Sequence, residues 1–468
     1  MSDVVIVDSG VANLASIATA FRRLGATVSV TVTADDVLNA SRVVLPGVGA
    51  FGAGLTALHS RGLTAAIASA AVRGTPLLGV CLGMQMLCES SEEAPGIPGL
   101  GVIAGACLRL PDHVRVPHLG WNYVAAPAPA PAPEGLRFVT GGVAAFANSY
   151  ALREAPPGWT AAWSTHGVPF VAALERGSIV ACQFHPELSG AYGAALLQRW
   201  LAGGGALSTD ADTVVTAPGL MRRVVPCLDV RDGRVVKGVR FQRLRDAGDP
   251  AARAACYEAQ GADEIVVLDV AASPEGRKTQ VETVARVRAA ISIPLTAGGG
   301  VRSVSDARAL LAAGADKVSV NTAAVRRPEL LGELATAFGR QCVVLAIDAR
   351  RVDDRWEVLA LSGRERALPD AVTWAEWGQQ LGAGEILLTS WDRDGTRAGP
   401  DVELLRAVCR AVRLPVIASG GIGGRAHVAE AFRAGADAVL AASVFHDGDD
   451  TVAGIKADLA GRGIRVRR

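Results

Sequence analysis

Several features that mark other classes of protein are absent from this 468-residue sequence. Aromatic residues make up only 5%, and 47 basic residues balance 46 acidic ones without forming a basic run. The sequence therefore lacks the clustered basic residues that are typical of nucleic-acid-binding proteins. It also has no stretch of roughly 18 or more apolar residues, and its opening, MSDVVIVDSG, lacks the basic, apolar pattern of a signal peptide. We expect a protein that binds neither nucleic acid nor membrane.

The eight cysteines form no CxxC pair, which is the spacing typical of zinc sites and redox pairs. Scattered cysteines of this kind are typical of reduced thiols in a cytosol. No cluster has metal-ligand spacing, and the glycine-rich segments of residues 221–468 lack a GxGxxG arrangement followed by an acidic ribose ligand. We expect a cytoplasmic protein that uses no metal and no organic cofactor.

The length and the 53 glycines indicate a two-domain α/β protein, because single cores stop growing near roughly 250 to 300 residues. The stretch from 203 to 220, GGGALSTDADTVVTAPGL, has the composition of a linker. It separates a first domain, residues 1–202, from a second, residues 221–468. Within the first domain, the proline-rich run from 125 to 133 predicts an extended surface loop.

Short apolar runs in the first domain, VVIVDSG, SRVVLPGVG, TPLLGVCLG and SIVACQFHP, predict strands of a doubly wound sheet with active groups at the strand ends. One of them ends in Gly79-Val80-Cys81-Leu82-Gly83, which has the form of a nucleophile elbow. A cysteine just before a helix has a stabilised thiolate. A lone cysteine such as Cys81 is most often a small buried apolar residue. The flanking glycines and the helix that follows favour a nucleophile instead.

A base and an oxyanion site are also present. His185 ends another strand run, where it can carry a proton while Glu187 orients its ring. The loop of Gly47, Val48 and Gly49 allows backbone amides to approach a ligand closely, which an oxyanion hole requires. The sequence therefore predicts a Cys-His-Glu triad with its oxyanion loop.

These segments, GVCLGMQ with FHPE, resemble the class I glutamine amidotransferases. PGVGAF, PHLGWN and NSY narrow the resemblance to the glutaminase part of the imidazole glycerol phosphate synthase family, over most of residues 1–202. It implies that Leu82 and Gln85 join the loop in binding glutamine. One departure is Leu188, where the family commonly has a lysine. The usual salt bridge to the second domain cannot form at that position, so we expect Asp316 to be either unpaired or differently paired.

The second domain contains an internal repeat. GADEIVVLDV matches GAGEILLTS, and GADKVSVNT matches GADAVLAAS, both at an offset of 121 residues. Eight strand candidates, each followed by a plausible helix, occur in about 250 residues, which is the pattern of a TIM barrel. They are VVPCLDV, EIVVLDV, PLTAGG, KVSVNT, CVVLAID, EILLTS, PVIASGG and AVLAAS.

Two glycine-rich strand ends are related by this repeat, and each precedes a helix whose start favours anions. A single Gly-Gly pair more often marks a turn, but the symmetry favours two phosphate sites. We therefore predict a substrate with a phosphate at each end. The residues predicted to hold it are Gly299, Gly300, Asn321, Thr322, Ser419, Gly420, Gly421, Ala442 and Ser443.

Asp229 and Asp348 end the first and fifth strand candidates, so they face each other across the predicted barrel mouth and suit acid/base chemistry. Asp269, which has no such counterpart, reads as a loop cap. Charged residues near the strand starts either seal the barrel base as solvated or paired charges, or form a gate for ammonia. They are Arg223, Glu264, Lys317 and Glu385.

CLDVRDGRVVKGVRF, LDVAAS, GGGVRS, AIDAR and LLTSWDRDGT are among the segments that resemble the cyclase part of the same family, over nearly all of residues 221–468. The resemblance implies that PRFAR and ammonia give imidazole glycerol phosphate and AICAR. It implies Asp229 and Asp348 as the acid/base pair, Lys237 as a mobile-loop contact to substrate, and Asp394 with Gly395 as substrate-site residues.

Two alternatives stay open. The barrel resembles a sister bisphosphate isomerase of the same pathway, which also uses two aspartates but needs no ammonia. The first domain could instead be an inactive scaffold beside a cyclase that uses free ammonium. The intact Cys81, His185 and Glu187 argue against the scaffold. Because fusion removes the need for separate subunits, we expect the domains to dock within a monomer.

Overall fold

The computed structural model describes residues 3–10, 13–126, 136–204, 219–239, 242–272, 275, 279, 281–361, 363–368 and 370–468. The chain divides into two compact units, Met1–Leu220 and Met221–Arg468. Most of the proline-rich run and the interior of the predicted linker, residues 127–135 and 205–218, lie outside the described residues. None of the described helices is long and apolar enough to cross a membrane.

The described part of the first unit contains twelve strands. They are β1 (Val4–Val7), β2 (Val28–Thr31), β3 (Val43–Leu45), β4 (Leu77–Val80), β5 (Cys88–Ser91), β6 (Ile103–Arg109), β7 (His118–Val124), β8 (Gly142–Asn148), β9 (Tyr150–Leu152), β10 (Thr160–His166), β11 (Val168–Arg176) and β12 (Ile179–Cys182). Its helices are α1 (Leu14–Arg23), α2 (Ala34–Leu38), α3 (Phe51–Ser60), α4 (Leu63–Val72), α5 (Leu82–Leu87) and α6 (Gly190–Leu201), with a 3₁₀ turn at Pro186–Leu188.

Seven of these strands form one sheet in the order β10-β11-β12-β4-β3-β1-β2. The five strands from β12 to β2 run parallel, whereas β11 and β10 add an antiparallel edge. Alternate residues of β3 join different apolar clusters, Val44 in one and Val43 with Leu45 in the other. Both faces of the sheet are therefore covered, as a doubly wound sheet requires, but the sheet is mixed.

All eight strands predicted for the second domain are present. They are β13 (Arg223–Arg231), β16 (Ile265–Asp269), β17 (Leu295–Gly298), β18 (Lys317–Val320), β19 (Val343–Val352), β22 (Glu385–Ser390), β23 (Val416–Ser419) and β24 (Ala438–Ala441). They pair in parallel in this order, and β24 pairs with β13, which closes the barrel. Two hairpin extensions follow the first and fifth barrel strands, β14 (Arg234–Val239) with β15 (Gln242–Gly248), and β20 (Arg355–Ala360) with β21 (Glu365–Leu368).

Helices follow the barrel strands. They are α7 (Pro250–Ala259), α8 (Val281–Ala290), α9 (Val304–Ala312), α10 (Thr322–Arg326), α11 (Glu329–Phe338), α12 (Ala371–Leu381), α13 (Val402–Ala411), α14 (Arg425–Arg433), α15 (Ser443–His446) and α16 (Val452–Gly461), with a 3₁₀ turn at Arg340–Cys342. Several begin at a polar residue whose side chain accepts a backbone N–H of the first turn, and each such cap contributes about 1 kcal/mol. These caps are Asp249, Ser303, Asp370, Asp401 and Thr451.

The interior of the barrel is filled by side chains from several of its strands, including Val225, Val266, Val344 and Ile417. Inward and outward residues alternate along each strand, so the apolar runs that predicted the strands supply both the interior and the contacts with the helices. Because all eight strands are parallel, their carboxyl ends meet at one mouth, where the polar residues of the second candidate site lie.

Candidate active sites

Cys81 lies between β4 and α5 with φ 51° and ψ −107°, a backbone conformation that non-glycine residues rarely adopt. Neighbouring glycines make this turn possible. A β-carbon on Gly83 would lie 1.8 Å from the carbonyl oxygen of Leu45, and one on Gly47 would lie 2.5 Å from the β-carbon of Leu82. The elbow therefore requires backbone segments to pack more closely than side chains permit.

His185 and Glu187 follow β12, the parallel neighbour of β4, and the structure brings His185 beside Cys81. His185 Nδ1 lies 2.8 Å from Glu187 Oε1, and both residues are buried. Burial alone would lower the pKa of His185, but the charges of Cys81 and Glu187 raise it well above its usual value. Its Nε2 is buried without a hydrogen bond to the described part of the chain. The ring is thus oriented by Glu187 and suited to holding a proton.

The predicted oxyanion loop adopts a different arrangement from the one expected of a preformed oxyanion hole. The Leu82 N–H donates to the carbonyl oxygen of Gly47 at 3.2 Å. Gly49 has φ 140°, and the Val48 side chain is half-buried. An oxyanion hole presents N–H groups to the ligand, so the Leu82 amide is already occupied in this conformation.

Gln85 is buried, and its Nε2 donates to the carbonyl oxygen of Tyr150 at 2.9 Å and to Gln183 Oε1 at 3.1 Å. Gln183 was not among the predicted residues, yet its Nε2 lies 3.6 Å from Cys81 Sγ. The available signal was its position two residues before His185 at the end of the same strand. A residue type with no reactivity of its own gave no reason to choose it.

The second candidate site is a cavity of about 480 Å³ at the carboxyl ends of the barrel strands. The predicted residues that line it are Asp229, Gly299, Gly300, Asn321, Thr322, Asp348, Asp394, Gly395, Ser419, Gly420, Gly421, Ala442 and Ser443. The backbone of Lys237 lies on β14, but its side chain is outside the described part of the chain. Residues from both halves of the repeat thus surround one space.

The two glycine-rich strand ends have the same local geometry. Gly299 and Gly420 both have φ 92°. A β-carbon on Gly299 would lie 2.2 Å from the carbonyl oxygen of Asp269, and one on Gly420 would lie 2.6 Å from the carbonyl oxygen of Ser390. Neither position can hold a larger residue without strain. The repeat therefore places two equivalent backbone cradles on the cavity, and each can approach an anionic group closely.

Asp229 and Asp348 lie on β13 and β19, and both line the cavity. Asp348 Oδ2 accepts from Asn321 Nδ2 at 2.9 Å, and Cys227 Sγ lies 3.5 Å from Asp229 Oδ1. Burial raises the pKa of each aspartate to about 7, and the charge of Asp394 adds to the rise. Both carboxyls can therefore exchange protons near neutral pH.

Cys227 was not predicted as a site residue, although it lies two residues before Asp229, which places both on one face of the strand. Asp269 also lines the cavity, but its carboxylate accepts from the N–H groups of Ala271 and Ala272 at 3.3 and 3.1 Å. The prediction that Asp269 caps its loop is confirmed. In the part of the chain that the structure describes, no group of three or more His, Cys, Asp or Glu side chains could hold a metal ion.

The four charged residues at the strand starts form one buried network. Arg223 Nη1 lies 2.7 Å from Glu264 Oε2, and Arg223 also bonds Glu385. Lys317 Nζ lies 2.7 Å from Glu264 Oε1 and 2.5 Å from Glu385 Oε2. Burial by itself raises the pKa of Glu385, but Arg223 and Lys317 bring it below its usual value. The charges are mutually paired rather than solvated.

Leu188 stands where the family commonly has a lysine, and Asp316 was expected to be affected by that change. Leu188 is buried in the turn after His185. Asp316 Oδ2 lies 3.0 Å from Arg288 Nη1 and accepts from the Leu295 N–H at 2.8 Å. Asp316 therefore has partners within the second unit.

Comparison with known proteins divides the chain at the same place as the structure. Residues 5–202 match the family model described as glutamine amidotransferase class-I, and residues 223–451 match the one described as histidine biosynthesis protein. The chain is 58% identical over 258 residues to the imidazole glycerol phosphate synthase subunit HisF of Mycobacterium tuberculosis, strain ATCC 25177 / H37Ra. The same protein from strain CDC 1551 / Oshkosh gives the same identity. The match covers 54% of this chain and 97% of each relative.

Proposed function

The chain belongs to the imidazole glycerol phosphate synthase family, with a class I glutamine amidotransferase part and a cyclase part in one polypeptide. We propose that each part carries out one half of the reaction. The first site releases ammonia from glutamine, and the barrel uses that ammonia to convert PRFAR into imidazole glycerol phosphate and AICAR. The observation that carries the proposal is the pairing, in one chain, of Cys81 beside His185 and Glu187 with a barrel cavity lined by Asp229 and Asp348.

At the first site, the reaction begins with attack of the Cys81 sulfur on the amide carbon of glutamine. The carbon–nitrogen bond then breaks, His185 delivers a proton to the departing nitrogen, and ammonia leaves a thioester on Cys81. Water that loses a proton to His185 hydrolyses the thioester and gives glutamate and the restored thiolate. Glu187 supports each step because its bond to Nδ1 keeps Nε2 directed at the reacting groups.

The oxyanion loop supplies the coupling between the sites. Because the Leu82 N–H donates to the Gly47 carbonyl, that carbonyl has to turn away before the amide can bind an oxyanion. Substrate in the barrel favours this turn, so the glutaminase is nearly silent until the barrel is occupied. Rapid glutamine hydrolysis by the protein without a barrel ligand contradicts this coupling.

At the second site, the two glycine cradles hold the two phosphates of PRFAR, with Asn321, Thr322, Ala442 and Ser443 beside them. Asp394 lines the same cavity and contacts the substrate, and the family resemblance gives Lys237 a substrate contact as well. The substrate lies across the mouth, so its reacting centre falls between Asp229 and Asp348. With pKa values of about 7, one aspartate can accept a proton while the other donates one during ring closure.

The charge network at the opposite end of the barrel is the entry gate for ammonia. Arg223 and Lys317 each bond both Glu264 and Glu385, so entry along the barrel axis requires at least one of these ion pairs to open. The competing role is a structural seal of the barrel base. A channel predicts that a smaller residue at Lys317 lets external ammonium compete with glutamine-derived ammonia, whereas a seal predicts no change in nitrogen source.

Fusion of the two parts fits intramolecular docking, and the protein acts as a cytoplasmic monomer on small-molecule substrates. All eight cysteines are free thiols, which supports a reducing compartment. Light scattering on the purified protein measures the oligomeric state directly, and a mass of twice the chain contradicts the monomer.

The decisive assay compares glutamine with an ammonium salt as nitrogen donor for PRFAR conversion. The intact chain uses both donors, and Cys81→Ala uses only ammonium. Equal glutamine-dependent turnover by wild type and Cys81→Ala contradicts the assignment of Cys81. Absence of cyclisation with either donor in the intact chain contradicts the barrel assignment and leaves the sister isomerase as the better account.

A further inference from the structure

Gln183 is held beside Cys81 by the backbone of two neighbouring strands. It follows β12, whose Cys182 is in register with Val80 of β4. The Cys81 N–H donates to the carbonyl oxygen of Cys182 at 2.6 Å, and the Gln183 N–H donates to Ala172 at 2.8 Å. The Gln183 side chain is completely buried. The fold thus fixes an uncharged amide against the sulfur of the nucleophile.

The hydrogen-bond pattern determines which end of that amide faces the sulfur. The carbonyl oxygen of Tyr150 can only accept, so the Gln85 atom 2.9 Å from it must be Nε2, a donor. The Gln183 atom 3.1 Å from the same Nε2 must in turn be an acceptor, Oε1. The remaining end, Gln183 Nε2, therefore lies 3.6 Å from Cys81 Sγ as an N–H donor.

A donor at this place favours the charged form of the nucleophile. Cys81 is 4% exposed, so water gives little solvation to a thiolate, and protein donors have to replace it. The short helix α5 has its N-terminus here, but α5 has only six residues. His185, whose ring is bonded to Glu187, faces the same sulfur, and the Ala147 carbonyl oxygen lies 3.8 Å from Sγ as an acceptor for the thiol. Gln183 adds a directed N–H to this setting, and hydrogen bonds to charged groups are stronger than those between neutral groups.

We propose that Gln183 is a positioning residue of the glutaminase site, which stabilises the Cys81 thiolate through its Nε2 and holds the Gln85 amide through its Oε1. The inference rests on the proposed function for its kinetic consequence, whereas the effect on the sulfur can be measured without glutamine. It predicts that loss of the donor raises the pH at which Cys81 becomes reactive.

The first experiment measures the rate of Cys81 alkylation by iodoacetamide against pH in the full-length protein, followed by mass spectrometry of the Cys81 peptide. Gln183→Leu removes the donor with little change in size, and we expect the inflection to move up by about one to two pH units. Gln183→Glu keeps the shape of the side chain and replaces the donor with a carboxyl, and it shifts the inflection in the same direction. Gln198→Leu makes the same change on the exposed face of α6 and leaves the profile unchanged.

The second experiment measures kcat/KM for glutamine and for ammonium with the same variants. Gln183→Leu lowers the glutamine value by roughly tenfold to a hundredfold and leaves the ammonium value unchanged, because the barrel is intact. An unchanged alkylation inflection in both Gln183 variants overturns the proposal, as does an equal loss with both nitrogen donors. If wild type fails to use glutamine but the inflection still shifts, the proposed function fails while the role of Gln183 toward the sulfur stands.

Discussion

Replacing Asp348 with asparagine should stabilise the protein, and more so at alkaline than at acidic pH. In the folded protein burial raises the pKa of Asp348 from its usual 3.8 to about 7. Between these values the folded state binds more protons than the unfolded state, so stability falls as pH rises from about 4 to about 7. At about 1.36 kcal/mol per pH unit, ionisation costs the fold up to about 4 kcal/mol above pH 7 and about 2 kcal/mol at pH 5. Asparagine avoids this cost and can still accept from Asn321.

The test is calorimetric melting of wild type and Asp348→Asn at pH 5 and pH 8. The stabilisation of Asp348→Asn relative to wild type should be about 2 to 3 kcal/mol larger at pH 8 than at pH 5. This corresponds to roughly 5 to 10 °C in the melting temperature of the barrel transition. Asp354→Asn, an exposed position in the turn after β19, is the control and changes melting equally at both pH values. Asp348→Asn should also lose cyclisation with either nitrogen donor. A gain in melting temperature that is the same at pH 5 and pH 8 refutes the reasoning.

Three further predictions follow from single contacts. Glu187→Gln removes a charge that raises the pKa of His185, and should lower glutamine-dependent kcat at least about tenfold while ammonium-dependent kcat stays constant. Gly83→Ala should abolish glutamine-dependent turnover because its β-carbon would meet Leu45, whereas Gly461→Ala, in open space, should have no effect. Arg223→Met leaves two buried glutamates with one cation and should destabilise the barrel by about 3 to 5 kcal/mol in denaturation experiments. Unchanged stability of that variant would show that the network carries no buried charge.

The architecture could be predicted because it is encoded locally. Each barrel strand is an apolar run that ends in glycine or a polar residue. The 121-residue repeat indicates that these runs form two similar halves of one domain. The family models and the closed barrel confirm that prediction. The antiparallel edge formed by β10 and β11 was not predicted, because strand direction depends on pairing between segments that the sequence presents only in succession.

The candidate sites divide in the same way. Cys81, His185 and the two aspartates are reactive residue types at the ends of strand runs, so pattern alone was enough to select them as candidates. The role of Gln183 depends on the register of β12 against β4, and the engagement of the Leu82 amide depends on the backbone conformation of the Gly47 loop. The sequence likewise left open whether Arg223 and its neighbours were solvated or paired. Only the three-dimensional structure places their charges in contact.

In the proposed reaction, ammonia made at Cys81 is consumed in the barrel of the same chain. This transfer is tested most directly by supplying PRFAR and glutamine labelled with ¹⁵N in the amide, together with an excess of unlabelled ammonium, and measuring ¹⁵N in imidazole glycerol phosphate by mass spectrometry. If ammonia passes directly from Cys81 to the barrel, the product of the wild type is mostly labelled and that of Cys81→Ala is unlabelled. Product from the wild type that carries only the isotope ratio of the bulk ammonia would contradict it.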